Sequence, residues 1–187
     1  SLQINIHLYP LPAMVWSRWS LTAPLLVDAW FDTGHMLVAH IAKGQLPKEQ
    51  VETVERLLNM WSNDFPEMST FVSSSVWPDH IKCTNSEAPV CSGLPATALD
   101  AFNAWHFLDL DYDPDHVSIN ETQAFGNPSA VWALRQAMRT FAMSQSTFAV
   151  NFMIRFAVHL LGDIHQPLHT AQGVFNDTRF GDILGDH

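Results

Sequence analysis

The sequence predicts a mainly α-helical, single-domain bundle, on three observations. Apolar residues recur at helical spacing in two long segments, a third segment is apolar on nearly every face, and no run alternates polar with apolar residues as a half-buried strand does. At 187 residues, 47% hydrophobic and 15% charged, the chain has enough apolar surface for one core and too much to stay disordered.

Residues 1–29 read differently from the rest. "MVWSRWSLTAPLLVDA", residues 14–29, has one positive charge at Arg18, an apolar stretch through Val27, and Val27-Asp28-Ala29 as a small-residue cleavage pattern. We read it as a secretion signal ending before Trp30, with residues 1–13 as upstream sequence; the alternative is a loosely packed arm over residues 1–29. Its apolar part is shorter than the roughly 18 residues that span a bilayer, and no membrane anchor is visible. Residues 30–187 then form the one domain.

Pro47 opens "PKEQVETVERLLNMWS", where Val51, Val54, Leu57, Leu58 and Trp61 fall three or four apart and make one apolar face. Residues 71–79 form an apolar helix-like run ending at Asp79. "SAVWALRQAMRTFAM", residues 129–143, follows Asn127-Pro128 and repeats the amphipathic pattern. "STFAVNFMIRFAVHLLGD", residues 146–163, is apolar almost all round, as expected of a helix in the middle of a bundle. Residues 107–128 and 170–187, rich in Asp, Asn, Pro and Gly, read as loops.

Two further marks agree with export. Cys83 and Cys91 bracket a polar loop and read as a disulfide rather than two free thiols, and Asn120-Glu121-Thr122 and Asn176-Asp177-Thr178 are glycosylation sequons. The expected location is secreted or at the cell surface.

A net charge of -10 argues against a groove that holds nucleic acid through lysine and arginine, because that mode works by neutralising phosphates. Ten histidines make bound metal the alternative source of positive charge. On the central helix His159 and Asp163 are four apart and project from one face, with Arg155 a turn earlier on the same line. Gly162 allows a close approach to the backbone, and Pro167 stops the helix so that His169 can return to the same place. Any one of these reads as a satisfied histidine or a helix-end aspartate; the set reads as a metal site, because zinc takes imidazole nitrogen and carboxylate oxygen. Asp79 after Trp77-Pro78, and His106 between Trp105 and Phe107 with Asp109 and Asp111 beyond, also resemble ligand positions.

"WFDTGH" at 30–35, "SSVWPD" at 74–79, "WHFLD" at 105–109 and "VHLLGDIHQPLH" at 158–169 occur in this order. Together they resemble the class I single-strand-specific zinc nucleases, the nuclease and 3′-nucleotidase family whose helical fold is shared with the zinc phospholipases C. The resemblance implies a zinc-dependent hydrolase that cleaves single-stranded RNA or DNA and 3′-nucleotides at the 3′ oxygen, with nucleic acid as substrate and no protein partner. It implies that Asp79, His106, His159 and Asp163 hold one zinc, and that Asp163 bridges to a second, which also takes His35 and the amino group and carbonyl of Trp30. The second site therefore depends on cleavage before Trp30. By the same resemblance Lys82 steadies the phosphate, Asp109 supports it, Phe107 stacks a substrate base, and His169 belongs to a third zinc site. His40, His80 and His165 match no ligand and are expected near the site or on the surface.

The third zinc of that family also takes a His and an Asp from a later helix, and residues 181–187, "GDILGDH", do not supply them. The domain is thus expected to lack its C-terminal part, and the competing reading is a truncated, non-catalytic zinc-binding helical module.

Overall fold

Helix α5 (Thr147–Asp163) is the axis around which the other elements pack. The computed structural model describes residues 31–82, 99–108, 110–112 and 128–173, so the leader, Trp30, Cys83, Cys91, Asp109, Asn120 and Asn176 lie outside the described residues. Helix α5 begins where the Ser146 hydroxyl accepts from the Ala149 amide, and nine of its seventeen residues are buried. Among the described residues no helix is long and apolar enough to cross a membrane.

Helix α4 (Ala130–Met143) is capped in the same way, Ser129 accepting from the Trp132 amide. Ala130, Ala133 and Ala137 are buried on one stripe, and their small side chains let α4 lie close against α5. Helix α2 (Lys48–Asn59) follows Pro47, and its inward residue Leu58 is fully buried. The remaining core is aromatic. Trp77, Phe156, Phe152, Phe102 and Trp105 meet edge to face or tilted at 4.8–5.9 Å, and none of these pairs stacks face to face.

Three features differ from the sequence expectation. Helix α1 (Asp32–Gln45) is a full helix where only a short motif was read, because just His35 and Ala39 are buried while Leu37 and Ile41 face outward at 59% and 57% exposure. It ends at Gln45 because Pro47 forces Leu46 into extended backbone. Helix α5 stops at Asp163, four residues ahead of Pro167, and that proline instead starts the short helix α6 (Pro167–Thr170), capped by the Gln166 side chain. The segments read as loops contain strands β1 (Leu110–Tyr112) and β2 (Ala171–Gly173), paired in parallel with Leu110 opposite Ala171. At three residues each they are too short to show alternation. Their ladder extends a bond from the Leu108 amide to the His169 carbonyl, so it sets residues 106–108 beside α6.

Short elements carry the chain between α2 and α5: a 3₁₀ turn (Pro66–Met68), another (Ser73–Val76) running into helix α3 (Trp77–His80), and a third (Asp100–His106).

Arg155, fully buried on α5, shows what fixes α2 and the first of these turns. Its guanidinium donates to the Met68 and Leu58 carbonyls and to Asn151 Oδ1, and lies 5.1–5.6 Å from the ring centroids of Trp61, Phe65 and Trp77. Asn151 in turn donates to the Leu57 carbonyl. Carbonyls and ring faces thus replace water around the cation, although burial still lowers its pKa to about 10.

Replacing Arg155 with Ala leaves two buried carbonyls and an amide oxygen without their donor, at about 1–3 kcal/mol each. We expect Arg155→Ala to lose more than about 3 kcal/mol of unfolding free energy in chemical denaturation, and Arg155→Lys, which keeps the charge but not the fork, to lose an intermediate amount. An Arg155→Ala protein as stable as the parent would contradict this account.

Candidate metal centre

Six ionisable side chains from five elements meet at the lower end of α5. His35 comes from α1, Asp79 from α3, His106 from the end of the third 3₁₀ turn, His159 and Asp163 from α5, and His169 from α6. All but Asp79 are buried to within 6% of full enclosure.

Asp163 faces two ways. Its Oδ2 lies 3.0 Å from His106 Nδ1 and 3.2 Å from His159 Nε2, and its Oδ1 lies 3.4 Å from His35 Nε2 and 3.6 Å from His169 Nδ1. Asp79 closes the other side, with Oδ1 3.6 Å from His159 and 3.7 Å from His106, and Oδ2 3.8 Å from His35. Lys82, one turn after Asp79, sets its ammonium 2.7 Å from Asp79 Oδ1.

Backbone carbonyls decide which ring nitrogens face inward. His159 Nδ1 donates to the Ser75 carbonyl, and His169 Nδ1 donates to the His106 carbonyl at 2.9 Å. The Nε2 lone pair of a neutral His159 therefore points at two carboxylates and at His106 Nδ1, 2.9 Å away. Such an arrangement calls for a cation at its centre, either a proton or a metal ion. The protonation energetics agree. Burial alone would lower the His159 pKa, but Asp163 and Asp79 outweigh it and raise it. Burial, reinforced by the His159 charge, pushes His35 down to about 4, and burial likewise lowers His106 to about 4. Burial by itself would raise the Asp79 carboxyl, yet His159 and Lys82 hold it at about 2, and Asp163 is lowered further by His159 and His106. At neutral pH His35 and His106 are thus neutral and both carboxylates charged, the forms that bind metal, whereas the shift at His159 favours its protonated form, so a metal there would have to displace that proton.

The donor set fits a metal in two overlapping groups, His35 with His159 and Asp163, and Asp79 with His106 and His159. Asp163 Oδ1, His106 Nε2 and His169 Nε2 are buried without a hydrogen bond among the described residues. The groups are held rigidly. The His35 and His159 rings stack at 3.8 Å and 15°, and His106 meets His159 edge on at 4.7 Å. A Cβ at Gly162 would stand 2.8 Å from His35 Nδ1, so this glycine is what admits the His35 ring.

Of the residues singled out from sequence, the structure gathers His35, Asp79, Lys82, His106, His159, Asp163 and His169. Phe107 stands at the edge, its ring parallel to His169 at 4.8 Å and 8°. Arg155, read on the same line as His159, serves the aromatic core instead. His40 is exposed, His165 bonds the Leu161 carbonyl at 2.6 Å, and His80 pairs with Asp32 at 2.9 Å. Sequence reading missed the Ser75 and His106 carbonyls, which no side-chain pattern could reveal.

The family model described as S1/P1 nuclease matches residues 30–180. Endonuclease 3 of Arabidopsis thaliana is 31% identical over 150 residues, 75% of this chain and 44% of its own length. Endonuclease 2 of Arabidopsis thaliana is 24% identical over 163 residues, 84% of this chain and 51% of its own length. Nuclease S1 of Aspergillus oryzae is 23% identical over 152 residues, 80% of this chain and 47% of its own length. The chain thus spans about half the length of the curated relatives it matches. No solved structure matches it at the same stringency. A helical core with a histidine–carboxylate cluster at the end of α5, and a family match over residues 30–180, lead to one assignment: the chain belongs to the S1/P1 nuclease family.

Proposed function

We propose that this chain is the zinc-binding part of an exported hydrolase that cleaves single-stranded nucleic acid and 3′-nucleotides at the 3′ oxygen, in the service of nucleotide scavenging. The observation that supports it most is the convergence of His159, Asp163, Asp79 and His106, with nitrogens and oxygens 2.9–3.7 Å apart and the His159 ring oriented by the Ser75 carbonyl. In this reading Asp79, His106, His159 and Asp163 hold one zinc, and Asp163, His35 and the amine and carbonyl of a processed Trp30 hold a second. His169 belongs to a third. Bound zinc supplies Lewis-acid stabilisation of the phosphate and a water of lowered pKa.

The chain's own groups then have separate tasks. Lys82 places a positive charge beside Asp79 where a phosphate oxygen would lie, and Asp109 supports it. Phe107, backed by the His169 ring, offers a face for a base, a contact worth about 1–3 kcal/mol and indifferent to sequence. Export, a Cys83–Cys91 disulfide and glycosylation at Asn120 and Asn176 complete the proposal and place the protein in the secretory pathway.

Metal content by mass spectrometry, with phosphate release from 3′-AMP and cleavage of single-stranded DNA, tests it. We expect bound zinc, activity abolished by chelation, and a melting temperature that falls on chelation, since a ligand at a hundred times its Kd contributes about 2.7 kcal/mol. Asp163→Ala should retain helical structure and lose activity at least about a hundredfold, the scale seen when even a group that orients a metal ligand is removed. Zinc bound without turnover would favour the non-catalytic module; no zinc bound would end the proposal.

Gly162→Ala separates site from fold. Alanine favours a helix interior by about 0.5–1 kcal/mol, but its Cβ must displace the His35 ring from 2.8 Å. Zinc affinity should fall by about tenfold or more while helical content by circular dichroism stays unchanged; unchanged affinity would mean that His35 does not ligate.

A further inference from the structure

The geometry points to Asp32 and His80 as a clasp that positions the His35 arm of the metal centre, an inference that rests on the metal-binding reading above. His80 Nε2 donates to Asp32 Oδ2 at 2.9 Å across 48 residues of sequence. Asp32 is the first residue of α1, one turn before His35, and His80 directly follows Asp79 on α3. The pair therefore ties together the two elements whose side chains meet at 3.8 Å, His35 Nε2 and Asp79 Oδ2.

The two elements differ in anchorage. Helix α1 has no side-chain hydrogen bond at its N-cap and Phe31 before it is 71% exposed, whereas α3 is held in the core by the buried Trp77 and Pro78, so the pair ties the loose start of α1 to a fixed element. The His35 ring meanwhile has no slack, being stacked at 3.8 Å on His159 and seated against Gly162. A small shift of the first turn of α1 moves His35 Nε2 away from Asp163 Oδ1, so whatever holds that turn tunes the site. With side-chain exposures of 52% and 31%, Asp32 and His80 form an ordinary surface pair in energy, worth about fivefold at most in an equilibrium constant. Their role is to position groups that touch the metal; neither is a ligand in this inference.

Asp32 also lies in the first turn of α1, where any carboxylate favours the helix dipole, and the test must separate the two roles. Cobalt(II) is titrated into the full chain, and its visible absorption is followed for the parent, Asp32→Ala, His80→Ala and the double variant. A clasp predicts that each single variant weakens cobalt binding about threefold to fivefold and blunts the absorption band, and that the double variant is no worse than either single one. Circular dichroism should show equal helix content in all four. Isotherms that coincide with the parent overturn the clasp, as does a double variant whose losses add, which would leave only the dipole effect. A parent chain that gives no cobalt band overturns the metal-centre reading as well, whereas a parent that binds cobalt with a flat cycle overturns the clasp alone.

Discussion

Helix α5 carries Arg155, His159 and Asp163 at intervals of four, so a guanidinium, an imidazole and a carboxylate stand on one line inside the protein, where water cannot solvate them. Leaving any of them uncompensated in a low-dielectric interior costs several kcal/mol. The surrounding elements are placed where they can supply what is missing. The end of α2 and the first 3₁₀ turn deliver the Leu58 and Met68 carbonyls to Arg155, and three aromatic rings surround its cation. One turn later the Ser75 carbonyl accepts a hydrogen bond from His159 Nδ1, and α1, α3, the third 3₁₀ turn and α6 bring their own ionisable groups to His159 and Asp163. The upper half of the line is closed with carbonyls and rings that do not titrate, and the lower half mainly with ionisable side chains. This difference separates structural support from candidate chemistry along a single helix.

The sequence showed the parts of the structure that depend on regular spacing. Helices α2, α4 and α5 each carry a periodic apolar face or a fully apolar body, and the segments read from Ser129 and Ser146 begin at the residues that cap α4 and α5. His159 and Asp163 were legible for the same reason, since four residues is one turn. His169 was legible through Pro167, which turns the chain back towards the end of α5, whereas His35 was legible only as part of an ordered motif, because its partners are distant in sequence and nothing local marks it. Helix α1 escaped because a helix that buries mainly a histidine and an alanine has no hydrophobic stripe to detect. The β1–β2 pair escaped because three-residue strands are specified by the partner's backbone, through bonds such as Leu108 to His169, and not by their own side chains. The orientation of each imidazole was equally invisible, being set by carbonyls whose positions only the fold determines.

The two oxygens of Asp163 lie nearest different histidine pairs, Oδ2 beside His106 and His159 and Oδ1 3.4–3.6 Å from His35 and His169, so one carboxylate joins two halves of the cluster. Charge placed in one half is felt in the other, and the groups titrate and bind as a set. The shared His159, present in both candidate donor groups, strengthens this coupling. Under the proposed function it also reconciles a net charge of -10 with a polyanionic substrate. Metal ions held at one coupled cluster, as proposed, would give a positive field of short range, about 8–10 Å at moderate salt, inside a chain whose net charge otherwise repels phosphate.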